Sequence, residues 1–225
     1  MTTVGACLFD AFVTLFDVGS AASACRDLLG ERWTAIAAAW RDKQLSYTWL
    51  RTVQGRHADF ARVTADALDF TLDQFGIHDE ALAERLLRLY RRLACYPEVP
   101  ECLRRLRQGG IKTAILSNGT PDMLAELVAA SGLDGMFDQV LSVEEAGKFK
   151  PHPDAYRVGV RRLGLPADEI LFLSSNGWDA YGAAAFGFRV IWCNRAGLPP
   201  ERLPGEPEAE IRSLAELPDL LGLGS

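Results

Sequence analysis

The chain opens with a short apolar run, residues 5–9, that ends in Asp10. This predicts a buried strand delivering a carboxyl group at its C-terminal end. From about Ser20 to Arg92 the periodicity changes. Ala, Leu and Arg dominate, and Leu82, Leu86, Leu89 and Leu93 recur at the three- and four-residue spacing of helices. Beyond Tyr96-Pro97 and Pro100, helices alternate with strands. The pattern predicts helices over 101–108, 123–130, 154–163 and 179–186, strands over 112–116, 139–141, 169–173 and 189–193, and a Pro- and Glu-rich tail closing in a short helix near 214–221. Such alternation with short links predicts an α/β fold, a doubly wound parallel sheet with its ligand crevice outside the carboxyl ends of the strands. The helical block after the first strand is far longer than the ~4–6 residues of an ordinary connection. It predicts an inserted helical cap domain, residues 16–97, on a core formed by 1–15 and 98–225.

Composition narrows the function. At 225 residues, with 48% hydrophobic and 24% charged positions, the chain can bury a substantial core, which excludes disorder and disulfide mini-proteins. Lys and Arg number 24 against 30 Asp and Glu, and the net charge of −6 repels nucleic acid and anionic membranes. A small-molecule substrate is the expectation. The five cysteines are odd in number and lack metal-ligand spacing, so they read as reduced core thiols. The opening Met-Thr-Thr-Val-Gly has no basic leader, and no apolar run approaches the ~20 residues of a membrane span. Both point to the cytoplasm.

The residues able to do chemistry cluster at the predicted strand ends. Asp10 there can be a nucleophile, a metal ligand or a loop cap. Thr14 follows four residues on. Ser117-Asn118-Gly119 offers a hydroxyl, an amide and a permissive backbone before a helix, as an anion site or an ordinary turn. Lys150 precedes Pro151, so its segment is extended, and its ammonium is either a partner for Asp10 or a solvated loop charge. Tyr156 lies one helical turn later. Ser174-Ser175-Asn176-Gly177-Trp178-Asp179 is poor loop filler, with Asp179 a helix cap or a Lys150 partner. Arg41 aligns at helical spacing with Ala37, Leu45 and Thr48 or Trp49 on one apolar stripe, where a cation needs an anion unless its head snorkels to water.

Taken in order, Phe9-Asp10-Ala-Phe12-Val13-Thr14-Leu-Phe16-Asp17, Ser117-Asn118-Gly119, Lys150-Pro151-His-Pro153-Asp-Ala-Tyr156 and Ser174-Ser175-Asn176-Gly177-Trp178-Asp179-Ala180 resemble the motif series of the haloacid dehalogenase superfamily. The segments Trp40-Arg41 through Leu50 and Phe186 through Arg195 resemble its L-2-haloacid dehalogenase branch. The resemblance implies a Rossmann-like core with a helical cap, and hydrolytic dehalogenation of L-2-haloalkanoic acids to D-2-hydroxyalkanoic acids through an aspartyl ester on Asp10. It implies that Lys150 orients Asp10, that Asp179 positions Lys150 and helps activate water, and that Ser174 and Asn176 complete the network. Ser117 holds the substrate carboxylate with Thr14 and Tyr156 in support, and Arg41 and Asn118 cradle the halide. Phe60, Trp178 and Leu45 form an apolar wall, and Ala11 and Phe12 line the substrate site.

No metal and no cofactor are implied, and a homodimer is. The superfamily's phosphatases carry a second aspartate two residues after the nucleophile and an acidic pair in the fourth motif. Phe12 and Ser174-Ser175 stand in those places, against a metal-dependent phosphatase. Two departures, Val13 where the family usually has glycine and Asp42 beside Arg41, raise a third reading, a non-catalytic anion-binding relative.

Overall fold

The structure is a computed structural model describing residues 4–223, so the expectation about a leader at Met1–Thr3 lies outside the described residues. Six strands, β1 Ala6–Phe9, β2 Lys112–Ser117, β3 Gln139–Ser142, β4 Ile170–Ser174, β5 Arg189–Cys193 and β6 Ala209–Ile211, form one all-parallel sheet in the order β3-β2-β1-β4-β5-β6. β1 and β4 are buried at every position, the near-continuous apolar run that a parallel strand covered on both faces requires. The order reverses between β1 and β4, and Asp10 and Ser174 leave the sheet side by side at that switch point.

Between β1 and the return to the core at Val99 lie five α-helices: α1 Gly19–Ser23, α2 Arg26–Leu29, α3 Trp33–Gln54, α4 Phe60–Gln74 and α5 Glu80–Tyr90. Asp59 and Asp79 accept the N–H groups of Arg62 and Leu82 and so cap α4 and α5, while Gly55 in the left-handed region ends α3. These helices form the cap. The chain enters and leaves it in adjacent strands of backbone, where Asp17 N–H donates to Ala94 O and Tyr96 N–H to Leu15 O.

Around the sheet lie α6 Val99–Gln108, α7 Pro121–Ala130, α8 Pro153–Leu163, α9 Gly177–Phe186 and α10 Leu217–Leu220. Prolines open α7 and α8, where the missing N–H costs nothing. At Gly159 a Cβ would lie 2.7 Å from the Leu8 side chain, so glycine lets α8 close on β1.

Four expectations need correction. The buried stripe of α3 is Ile36, Trp40, Gln44 and Thr48, one position out of phase with the Ala37–Arg41–Leu45 stripe, because α3 packs mainly on α4. The α5 helix ends at Tyr90, so Leu93, read at helical spacing with Leu82, Leu86 and Leu89, is buried in the turn beyond the helix instead. The tail adds β6, unforeseen because its three residues alternate too briefly to register. Glu169 belongs to a 3-10 turn before β4.

No helix among the described residues is long and apolar enough to cross a membrane. All five cysteines are free and none is exposed; burial raises the Cys7 thiol, and raises that of Cys102 to about 12.

Val13 has φ +71°, the one non-glycine residue with positive φ among the described residues. This is the backbone reason for a glycine at that place. A β-branched side chain in the left-handed region costs at least ~1–2 kcal/mol, more than the ~0.5–1 kcal/mol of chain entropy that glycine gives up. Val13→Gly is therefore expected to raise the unfolding free energy by roughly 1 kcal/mol, with Val13→Ala remaining below it. A denaturant midpoint for Val13→Gly lower than the parent's contradicts this account.

Candidate active site

Among the described residues, three carboxylate or ammonium side chains are buried, Asp10, Lys150 and Asp179, and they touch. Lys150 Nζ lies 3.0 Å from Asp10 Oδ1 and 3.0 Å from Asp179 Oδ2, and 4.8 Å from the centre of the Phe172 ring. Unpaired, each charge would be prohibitive at this depth.

Asp10 caps the strand end rather than a helix. Its Oδ2 accepts from Asn176 Nδ2 at 2.8 Å, Thr14 Oγ1 at 3.1 Å and Ser174 Oγ at 3.4 Å. Its Oδ1 faces only the ammonium among protein donors. Thr14 is itself held by β4, since its Oγ1 accepts Ser175 N–H at 2.8 Å, and Asn176 Nδ2 also reaches Phe12 O at 3.0 Å.

Asp179 does not cap α9; Asn176 occupies the N-cap, with no side-chain capping bond. The Asp179 carboxylate instead accepts from Lys150 and from Tyr156 Oη at 2.8 Å. Burial pushes Asp179 up to about 6, against the lowering pull of the Lys150 ammonium and with a further push from Asp10. For Lys150 burial acts downward, but the two carboxylates outweigh it and the ammonium is held above its ordinary value. Burial and then Asp179 raise Tyr156 far above a free phenol, so it stays a donor.

The loop after β2 serves as both turn and site. Thr120 caps α7 through Met123 N–H, while Ser117 Oγ, fully buried, accepts Gly119 N–H. Asn118 Oδ1 accepts Lys150 N–H at 3.0 Å, which fixes the lysine's backbone. A Cβ on Gly119 would lie 3.1 Å from the Phe12 ring, so glycine lets that ring approach.

The cap closes over this cluster. Arg41 Nη2 donates to Asn176 Oδ1 at 3.3 Å and Nη1 to Gln44 Oε1 at 2.8 Å; its Nε is buried without a protein partner. Asp42 is exposed and Arg41 is oriented by Gln44 and Asn176 instead. Phe12 packs against Phe60 at 5.2 Å and Tyr90 at 5.5 Å between ring centres. Ala11 is buried, its carbonyl accepting Leu15 and Phe16 N–H. Leu45 is half-buried one turn beyond Arg41. Trp178 stands further out, its ring edge-on to Trp49 at 5.5 Å, in the wall of an apolar groove with Phe149, Pro151 and Leu203. No group of three His, Cys, Asp or Glu side chains placed to hold a metal ion occurs among the described residues.

A family model described as haloacid dehalogenase-like hydrolase matches residues 4–187. The chain belongs to this family. Within it, the chain is 47% identical to the (S)-2-haloacid dehalogenase of Xanthobacter autotrophicus over 83% of this chain and 74% of that protein. It is 42% identical to haloacetate dehalogenase H-2 of Moraxella sp. (strain B), over 94% and 95% of the two chains. The solved structure of the Xanthobacter L-2-haloacid dehalogenase with chloropropionic acid covalently bound superimposes with a TM-score of 0.89 at 38% identity, covering 99% of this chain and all of that one. The solved L-2-haloacid dehalogenase structures share the parallel core and helical cap seen here.

Sequence reasoning missed three supports of this site. Gln44 links Arg41, Tyr90 and Thr64 in one hydrogen-bonded chain, and a polar residue four after Trp40 on a buried stripe was its only signal. Arg195 donates to Thr14 O and Glu98 and stacks on Tyr96, and Glu144 reaches the cap; neither partnership has a local pattern.

One ammonium serving two carboxylates sets opposite outcomes for the two sides. Lys150→Met strands two buried carboxylates and is expected to cost ~3–5 kcal/mol. For Asp179 the folded value of about 6 exceeds the ordinary 3.8, so its contribution to stability is lost as pH rises through 3.8 to 6. Asp179→Asn removes that cost and is expected to melt at or above the parent temperature at any pH above 6. A clearly lower melting temperature for Asp179→Asn at such a pH contradicts the assignment.

Proposed function

We propose that the chain is an (S)-2-haloacid dehalogenase, a hydrolase acting on carbon–halide bonds that converts L-2-haloalkanoic acids to D-2-hydroxyalkanoic acids. The observation that carries the reading is the Asp10 carboxylate, backed on Oδ2 by three neutral donors and on Oδ1 by Lys150, with an aromatic ring, Phe12, rather than an acid two residues on. The Phe12 ring and the Ser174 hydroxyl stand where the superfamily's phosphatases place acids. An alkoxide leaving group would find no proton donor at Phe12, whereas a halide needs none.

In the first step an Asp10 oxygen attacks C2 in line with the carbon–halogen bond. The C–O bond forms as the carbon–halogen bond breaks, halide leaves with the electron pair, and C2 inverts. Oδ1, with fewer donors on it, is the oxygen we assign to attack. Arg41, whose Nε is a buried donor without a partner, and Asn118 Nδ2 receive the halide; Phe60 and Leu45 are its apolar wall, with Trp178 at the outer rim. Ser117 and neighbouring amides hold the substrate carboxylate beside Ala11 and Phe12. In the second step water attacks the Asp10 carbonyl carbon and the acyl C–O bond breaks. Asp179 takes a proton from the attacking water and passes it to the departing alkoxide, which leaves as the hydroxyl, and the water's second proton leaves the regenerated Asp10 carboxyl for solvent. A carboxyl near 6 is a competent base at neutral pH. Tyr156 and Lys150 hold Asp179 in place, and Thr14, Ser174 and Asn176 hold Asp10.

The proposal extends to the assembly and its setting. The half-exposed to exposed Trp49, Leu50 and Val53 on α3 offer apolar surface for a homodimer, which light scattering checks. Free cysteines suit the reducing cytoplasm. The cap boundaries at 16 and 97 are supported by the antiparallel contact between Phe16 and Cys95.

Chloride release from L- and D-2-chloropropionate, each in excess EDTA, is the test. The L acid alone is expected to react, giving the D-hydroxy acid, and Asp10→Asn is expected to abolish release. In a single turnover in oxygen-18 water the product stays unlabelled and Asp10 gains the label; immediate label in the product means that water attacks carbon directly. Turnover is expected to fall as pH drops through about 6, where Asp179 takes up a proton, and a flat profile across that range removes Asp179 as the base.

A further inference from the structure

Glu144 lies outside the cluster around Asp10, on a 3-10 turn, Val143–Ala146, of the core after β3. Its two carboxylate oxygens cross to the cap. Oε1 accepts the Phe60 N–H at 3.0 Å, and Oε2 lies 2.7 Å from His57 Nε2. Phe60 is the first residue of α4, so its N–H is one of the donors that a helix cannot satisfy internally, and a carboxylate there also faces the positive end of the helix. Asp59 serves the Arg62 N–H and leaves Phe60 to Glu144. A residue of the core thus caps a helix of the cap.

The far end of this contact returns to the lysine. The His57 ring rests on Phe149 at 4.9 Å between centres, and Phe149 also packs on Phe60 at 6.1 Å. Phe149 N–H donates to Thr52 Oγ1 of α3 at 3.2 Å, and Phe149 immediately precedes Lys150. The circuit from Glu144 through Phe60 and His57 to Phe149 therefore joins the apolar wall above Asp10 to the segment that carries its ammonium.

We propose that Glu144 is a positioning residue for the reaction. It closes the cap onto the core so that Phe60 and Lys150 reach Asp10 together, with His57 as the link to Phe149. The inference rests on the reading of Asp10 and Lys150 as reacting groups. Its action falls on the chemical step, because Glu144 itself touches neither the halide donors nor the groups assigned to the substrate carboxylate.

Glu144→Ala is expected to lower kcat on L-2-chloropropionate roughly ten- to hundredfold, the scale of a small misplacement of reacting groups, with KM within about twofold. Glu144→Gln, which keeps an acceptor for Phe60 N–H, is expected to recover most of the loss. A kcat equal to the parent's in Glu144→Ala, or a loss confined to KM, overturns the proposal. Amide hydrogen exchange tests the coupling without turnover. In Glu144→Ala, peptides spanning 57–63 and 147–152 are expected to exchange faster together, and acceleration of 57–63 alone overturns it. A parent that releases no halide while both peptides respond would instead count against the dehalogenase reading and leave the coupling standing.

Discussion

A single ammonium buried between two carboxylates governs this molecule. Three charges at this depth leave a net negative site, and the fold meets the cost with fixed dipoles and hydroxyls. Thr14, Ser174 and Asn176 converge on Asp10, Tyr156 on Asp179, and Asn118 on the lysine backbone. They come from the segments at the carboxyl ends of β1, β2 and β4 and from the first turn of α8. The all-parallel sheet with its reversal between β1 and β4 gathers those ends in one place, so topology and electrostatics are two sides of one requirement.

The same argument separates this site from a phosphatase built on the same core. A phosphoryl site needs oxygen ligands for a hard cation and an acid for the leaving alkoxide. Here the positive charge beside Asp10 is a lysine, the neighbouring hydroxyls are neutral, and the position two residues beyond Asp10 holds an aromatic ring packed on Phe60 and Tyr90. Such surroundings favour a reaction in which charge moves from a carboxylate oxygen to a departing anion.

Much of this was legible in the chain because strand ends and motif residues are local features. Asp10, Lys150 and Asp179 stand beside strands or prolines that announce where their backbones go. The parallel strands read as apolar runs for the same reason. The cap was harder. The phase of α3 slipped by one residue because two apolar edges flank Arg41, and only packing against α4 decides which is buried. Gln44 to Thr64, Glu144 to Phe60 and Arg195 to Thr14 are bonds across 20 or more positions, and no spacing rule relates a polar side chain to such a partner. The sequence did signal Val13 through the motif it interrupts, but the reason, a left-handed backbone, needed coordinates.

The cap has to do two things that pull against each other. On the proposed reading it brings a guanidinium toward a developing halide and keeps water away from a carboxylate whose reactivity depends on being poorly solvated. A charged group in an apolar lid is costly unless its orientation is fixed from behind. Gln44 supplies that fixation, accepting from Arg41 and Tyr90 and donating to Thr64, whose own hydroxyl donates to Phe60 O. The polar chain that aims Arg41 therefore ends on the backbone of the aromatic wall, so the cation and the wall move as one unit. Arg41 then reaches Asn176, and Asn176 reaches Asp10. On the proposed reading, hydrogen bonds that tie the wall to the cation also tie access to Asp10 to stabilisation of the leaving group.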